Sequence, residues 1–200
     1  MAASSLEALL SEIRACRICP DLPLGPRPIL QAGAGARILI VGHAPGHIAH
    51  ERGRPFDDAS GRRLRAWLGL TREEFYDPGL VALAPMGFCY PGAGKGGDLP
   101  PRPVCAPTWR PRLMAALPEI RLTLALGLFA QKWVLGAHWR GGVAASVEAW
   151  REVWPEILPL PHPSGRNNGW LAQRPWVEGE MIPALQERVR GLIRIQKGSP

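Results

Sequence analysis

Four short apolar runs, separated by segments of helical periodicity, constrain this chain more than any other feature. Arg37–Gly42 reads RILIVG, Leu80–Ala84 reads LVALA, Arg121–Leu126 reads RLTLAL and Ile157–Leu160 is a short fourth run. A continuous apolar run ending in glycine suits a strand buried on both faces, as in a parallel sheet. A Leu/Ile stripe at three- and four-residue spacing behind Ser4 and Ser5 predicts an N-terminal helix to about Cys16. Ser60 is placed to cap a helix running to Leu68, and Thr71 with Glu74 fits a capping box. Thr108–Leu117 reads as helical despite Pro111 in its first turns, and Leu128–Leu135 reads as another helix. Pro175–Ile195 closes the chain with a helix that Pro183 kinks. Strands alternating with helices give an α/β class: a three-layer α/β/α arrangement around a central four-stranded parallel sheet. At 200 residues a single domain spanning 1–200 is expected. Ligands in such folds sit at the carboxyl ends of the strands. The polar clusters fall there: His43 to His50 after the first strand, a Gly/Pro loop after the second, His162 to Asn168 after the fourth.

Hydrophobic residues make up 46% of the chain, which excludes a wholly disordered polypeptide. The longest apolar runs fall far short of the roughly 18 residues that span a bilayer. The N-terminal segment alternates Leu6, Leu9, Leu10 and Ile13 with Glu7, Glu12 and Arg14, unlike a signal peptide. A cytoplasmic monomer with no membrane partner is expected. The net charge of +7 attracts phosphate and so favours nucleic acid. Against that, only Lys95, Lys132 and Lys197 among the 24 basic residues are lysines, and an Arg/Ala/Gly/Pro bias also follows from GC-rich coding. Charge alone leaves both readings open, although the planar guanidinium is well suited to two phosphate oxygens. The 23 Gly and 22 Pro punctuate the chain without repeats. Met86 to Val104 is its longest stretch without a predicted element, and such loops are commonly functional or disordered.

Cys16, Cys19, Cys89 and Cys105 are the four cysteines. The first two form a C-x2-C, and the others bracket the Gly/Pro loop. In a cytoplasmic chain this count points to metal ligation more than to disulfides, and four thiolates hold zinc or an iron–sulfur cluster equally well. Unrelated buried cysteines are the competing reading.

Two further segments carry chemistry. Gly42 to Gly61 reads GHAPGHIAHERGRPFDDASG. Gly42, Pro45 and Gly46 make a tight turn after a strand, where backbone N–H groups face a ligand. His43, His47 and His50 have spacings that a helix would bring together as metal ligands, but Pro45 and Gly46 oppose a regular helix at that point. Phe56 is a core residue or a stacking face for a planar ring. Pro161 to Trp170 reads PHPSGRNNGW and holds Asn167 and Asn168, the only two asparagines of the chain. His162 with Ser164 invites a nucleophile–base reading, which the absence of a G-x-S-x-G elbow weakens.

Taken together and in this order, GHAPG continuing to GRPF-DDAS-G, then HPSGRN, resemble the uracil-DNA glycosylase superfamily. The resemblance is strongest to its iron–sulfur (family four) members of bacteria and archaea. The cysteines match that family's cluster framework. The resemblance covers nearly the whole chain and implies a DNA glycosylase of base excision repair. Such an enzyme flips a damaged base, uracil or a related deaminated or oxidised one, and hydrolyses its N-glycosidic bond. It implies a [4Fe–4S] cluster on Cys16, Cys19, Cys89 and Cys105, with structural zinc as the runner-up. Phe56 would stack on the base, and the turn at Gly42–Gly46, Ala44 included, would line the pocket. His162 would donate to the base carbonyl as negative charge develops there. Ser164 and Gly165 would contact DNA phosphate, and Arg166 would wedge into the stack.

The motifs also depart from the family pattern. The carboxylate beside the first glycine is replaced by His43, and other branches place Asp or Asn where this chain has Ala44. Asp58 and Asp57, or His43 as a neutral base, are the candidate replacements for water activation. The family's base-reading Asn lies where this chain has Ala84–Pro85–Met86–Gly87–Phe88, so backbone groups or Asn167 and Asn168 would read the base. Two other readings compete: a catalytically silent iron–sulfur DNA-binding or lesion-sensing relative, and a metal-dependent hydrolase built on the histidines.

Overall fold

A computed structural model describes residues 2–198; the side chains of residues 2–5, 196 and 197 are outside that description. In chain order the elements are α1 (Ala2–Arg14), β1 (Ile38–Val41), α2 (His47–Arg52), α3 (Ala59–Leu68), α4 (Arg72–Phe75) and β2 (Val81–Leu83). A two-strand hairpin, β3 (Ala93–Gly94) and β4 (Gly97–Asp98), comes next, followed by α5 (Cys105–Ala115), β5 (Leu122–Leu126) and α6 (Gly127–Leu135). The chain ends with α7 (Val143–Glu148), β6 (Ile157–Leu160), α8 (Asn168–Ala172) and α9 (Ile182–Lys197).

The four apolar runs form one parallel sheet in the order β2-β1-β5-β6. Its strands are buried on both faces because their alternating side chains feed two separate cores. Ile38, Ile40, Leu122, Leu124 and Leu158 point into one, packed by Leu64 and Leu68 of α3 and by Leu185 and Val189 of α9. Leu39, Val41, Ala82 and Ala125 point into the other, with Leu9 and Ile13 of α1 and Leu113 of α5. The arrangement is the expected three-layer α/β/α one. Burying each such Leu or Ile contributes about 1.5–3 kcal/mol. Since β1 pairs with β2 on one side and β5 on the other, chain direction across the sheet switches between β1 and β5. A crevice opens there, beyond the carboxyl ends of the strands.

Several local expectations are corrected. Asp58, not Ser60, caps α3: its Oδ1 accepts the Gly61 N–H at 2.8 Å, from a residue in extended conformation. A carboxylate two residues earlier offers the better acceptor, and the helix starts at Ala59. Near Pro183 the closing helix changes from a π-helical turn to a regular α-helix. Pro183 sits in the first turn of α9, where a missing N–H costs nothing, behind a π-helical turn at Val177–Met181. The α5 helix starts at Cys105, ahead of the expected Thr108, so Pro111 lies inside it. The stretch 86–104 is not structureless, since it holds the β3–β4 hairpin. The N-terminal helix already includes Ser4 and Ser5. The Thr71–Glu74 capping box is present. Among the described residues no helix is long and apolar enough to cross a membrane.

Candidate active site and cysteine cavity

All four sheet strands deliver residues to one cavity of about 450 Å³. The turn after β1 supplies Gly42, His43, Ala44 and Gly46, and Pro85 follows β2. Leu126 ends β5 and Gly127 to Phe129 follow it, and His162, Ser164, Arg166 and Asn167 follow β6. Phe56 and Asp58 come from the segment entering α3. Sequence segments far apart are thus brought to one place by strand direction alone.

Phe56 is held in a costly conformation. Its φ of 55° is the left-handed region, and no other non-glycine among the described residues has a positive φ. Its neighbours over-determine it: the Tyr76 hydroxyl donates to the carbonyls of Pro55 and Phe56 at 3.1 and 3.0 Å. A Cβ at Gly61 would overlap the Phe56 carbonyl oxygen. The ring edge lies 3.0 Å from where a Cβ on Gly42 would stand, so the glycine after β1 leaves room for the aromatic face.

His162 follows β6 directly. Gln131, fully buried in α6, donates to the Leu160 carbonyl at 2.9 Å and pins the strand end. Asn167 Nδ2 donates to the His162 carbonyl at 2.6 Å and closes the turn from the other side. Burial, reinforced by nearby His43, pushes the His162 imidazole down to about 4. At neutral pH the ring is therefore uncharged, with one N–H to donate. His43 Nε2 lies 2.8 Å from the Leu99 carbonyl, which can only accept, so Nε2 is the donor of that contact. Asp58 faces the cavity while one of its oxygens caps α3.

The other candidates differ in placement. Gly165 begins a 3-10 turn, is exposed and does not line the cavity. Arg166 lines the cavity, and its Nη1 donates to the Gly96 carbonyl of the β3–β4 hairpin at 2.6 Å. Asp57 is paired with Arg72 at 2.9 Å, which holds its carboxyl below the usual range. The three histidines do not converge. His47 pairs with Glu51 and, like His50, packs its ring against Tyr90, away from His43. The metal-dependent hydrolase reading therefore loses its ligand set. Residues that sequence reasoning missed include Gln131, Asp98 and Leu128. None carries a local motif; only the strand-end rule pointed to their neighbourhood.

Cys16, Cys19, Cys89 and Cys105 line a second, small cavity of about 30 Å³. Cys105 Sγ accepts the Phe88 N–H at 3.4 Å. Burial pushes the Cys89 and Cys105 thiols up to about 11. As placed, no three His, Cys, Asp or Glu side chains among the described residues form a ready ligand set. What the fold does establish is that a C-x2-C beyond α1 and two cysteines flanking the Gly/Pro loop face one space.

This sheet order places a glycine turn, a strained aromatic and a neutral histidine together at its strand ends. The chain belongs to the uracil DNA glycosylase superfamily, whose family model matches residues 31–186. It is thereby a DNA glycosylase. It is 33% identical over 190 residues to the type-5 uracil-DNA glycosylase of Thermus thermophilus, covering 80% of this chain and 83% of that one. It is 26% identical over 172 residues to the type-4 uracil-DNA glycosylase of Sulfurisphaera tokodaii, covering 80% and 74%. A solution NMR structure from Methanosarcina acetivorans aligns with 80% of this chain and 98% of its own, at a TM-score of 0.47 and 16% identity.

Proposed function

We propose that this glycosylase takes a damaged base, uracil or a deaminated or oxidised relative, into the cavity and hydrolyses its N-glycosidic bond there. The observation that carries the reading is the pairing of a neutral His162 with a strained Phe56 across one cavity at the strand ends. Phe56 supplies the stacking face for a base taken out of the helix. Gly42 and Ala44, lacking bulk, let the base and sugar approach the backbone. The His162 N–H donates to a base carbonyl, and the bond strengthens as the departing base gains negative charge. Because the imidazole is already neutral, that donation needs no change of protonation state. Asp58 or His43 orients the attacking water; Ala44 brings no carboxylate or amide to the turn after β1. Ser164 and Gly165 meet phosphate, and Asn167, braced on His162, presents its amide to the base edge. Arg166 fills the vacated stack once released from Gly96. We read the chain as one domain, acting as a monomer.

The cysteines are read as ligands of a [4Fe–4S] cluster, with structural zinc as the second choice. Four thiols facing one cavity, a backbone N–H donor to Cys105 sulfur and a loop with only a two-strand hairpin all fit such a group. The group would order the loop; iron and acid-labile sulfide analysis with a visible spectrum distinguishes it from zinc.

Single-turnover release of uracil from a labelled oligonucleotide tests the catalytic reading. His162→Ala should slow release by about 10²–10³-fold, the cost of losing one oxyanion-type donor, with DNA affinity preserved. Wild-type protein that binds but never releases a base would favour the silent-relative reading, which the lack of a side-chain amide in Ala84–Phe88 supports.

A further inference from the structure

Arg110 stands apart from the other cations of the molecule. It lies in α5, five residues beyond Cys105, and is 1% exposed. Its Nη1 donates to the carbonyls of Ala84 and Pro85 at 2.8 and 3.3 Å. Its buried Nε has no partner, and no carboxylate among the described residues forms an ion pair with it. Burial pulls the guanidinium down only to about 10, so it is charged at neutral pH. A buried cation with carbonyl company alone is unfavourable unless an anion is close. The segment it grips at Ala84 and Pro85 continues to Phe88, whose N–H donates to Cys105 Sγ, a thiol of the four-cysteine cavity.

Four thiolates on zinc, or on an oxidised [4Fe–4S] core, leave a net charge of about −2, the sum of two positive and four negative charges. We propose that Arg110 is a positioning residue: it is the counter-charge of a metal–thiolate centre at Cys16, Cys19, Cys89 and Cys105. From that position it also braces the Ala84–Pro85 wall of the base cavity. This rests on the cysteine reading given above. It explains why a full cation is buried where no acidic side chain pairs with it. It also provides a physical link between the two cavities, since Pro85 lines one and Cys105 the other.

The test compares purified wild-type protein with Arg110→Met and Arg110→Lys. Iron, sulfide and zinc per chain, the rate of metal loss to a chelator and, for an iron–sulfur centre, its reduction potential are measured. Arg110→Met should lose metal several-fold faster and lower the potential, because the more negative reduced core loses its neighbouring cation. Arg110→Lys should restore both toward wild type. A folded Arg110→Met with wild-type retention and potential overturns the proposal alone. Wild-type protein without iron, sulfide or zinc overturns the cysteine reading and this proposal together. Should Arg110→Met fail to fold, amide exchange of the wild type decides. Stripping the metal should speed exchange in α5 and at Ala84 and Met86, and unchanged exchange there contradicts the proposal.

Discussion

At the scale of single residues, the site is built from one neutral imidazole and one strained aromatic. His162 has a sign that can be measured. Its folded-state pKa lies below the ordinary 6.5, at about 4, so the folded protein resists protonation that the unfolded chain accepts. Stability is full above pH 6.5 and falls as pH drops toward 4. Thermal melts of wild type and His162→Gln over that range should converge in shape only above pH 6.5; parallel curves throughout would contradict the buried neutral ring. Tyr76→Phe removes the one hydroxyl donor that the Pro55 and Phe56 carbonyls share. It should cost about 1–2 kcal/mol of stability and weaken base binding more than DNA binding, as read by competition with free base. Gly61→Ala should be far worse, since its Cβ meets a backbone carbonyl. Gly42, Phe56 and His162 were legible as motif residues. The φ of Phe56 was not, because a left-handed aromatic has no sequence signature, and neither was Gln131, whose role exists only once α6 lies beside β6.

At the scale of elements, Asp58 separates stability from chemistry. Asp58→Ala removes the cap of α3 and should cost about 1 kcal/mol, whereas Asp58→Asn keeps an acceptor for Gly61 and should restore most of it. If the carboxylate orients water, both variants slow base release alike; if Asp58 only caps, Asn is active. The strands were legible because apolar runs buried on both faces cannot alternate with polar residues, and Ile157–Leu160 is reproduced to the residue. The hairpin Ala93–Asp98 was not legible, being two-residue strands of Gly, Ala and Asp with no apolar pattern. The start of α3 was misassigned to Ser60 because two capping residues stand within three positions, and only the structure shows which one is in extended conformation.

At the scale of the molecule, strand direction gathers the chemistry and excess arginine supplies the attraction. Several arginines are internally paired, as in Arg112 with Glu12 and Arg174 with Glu148, yet the chain carries +7 overall. Oligonucleotide affinity should therefore fall steeply with salt, log K decreasing linearly with log salt; a salt-independent affinity would remove the electrostatic account. The measurement that tests the central claim most directly is base release from single- and double-stranded oligonucleotides carrying uracil, hypoxanthine, xanthine or 5-hydroxymethyluracil, with His162→Ala run alongside. Alkali-labile sites at one or more lesions, lost in the variant, are the predicted result. No release from any of them by folded, metal-replete protein would contradict it.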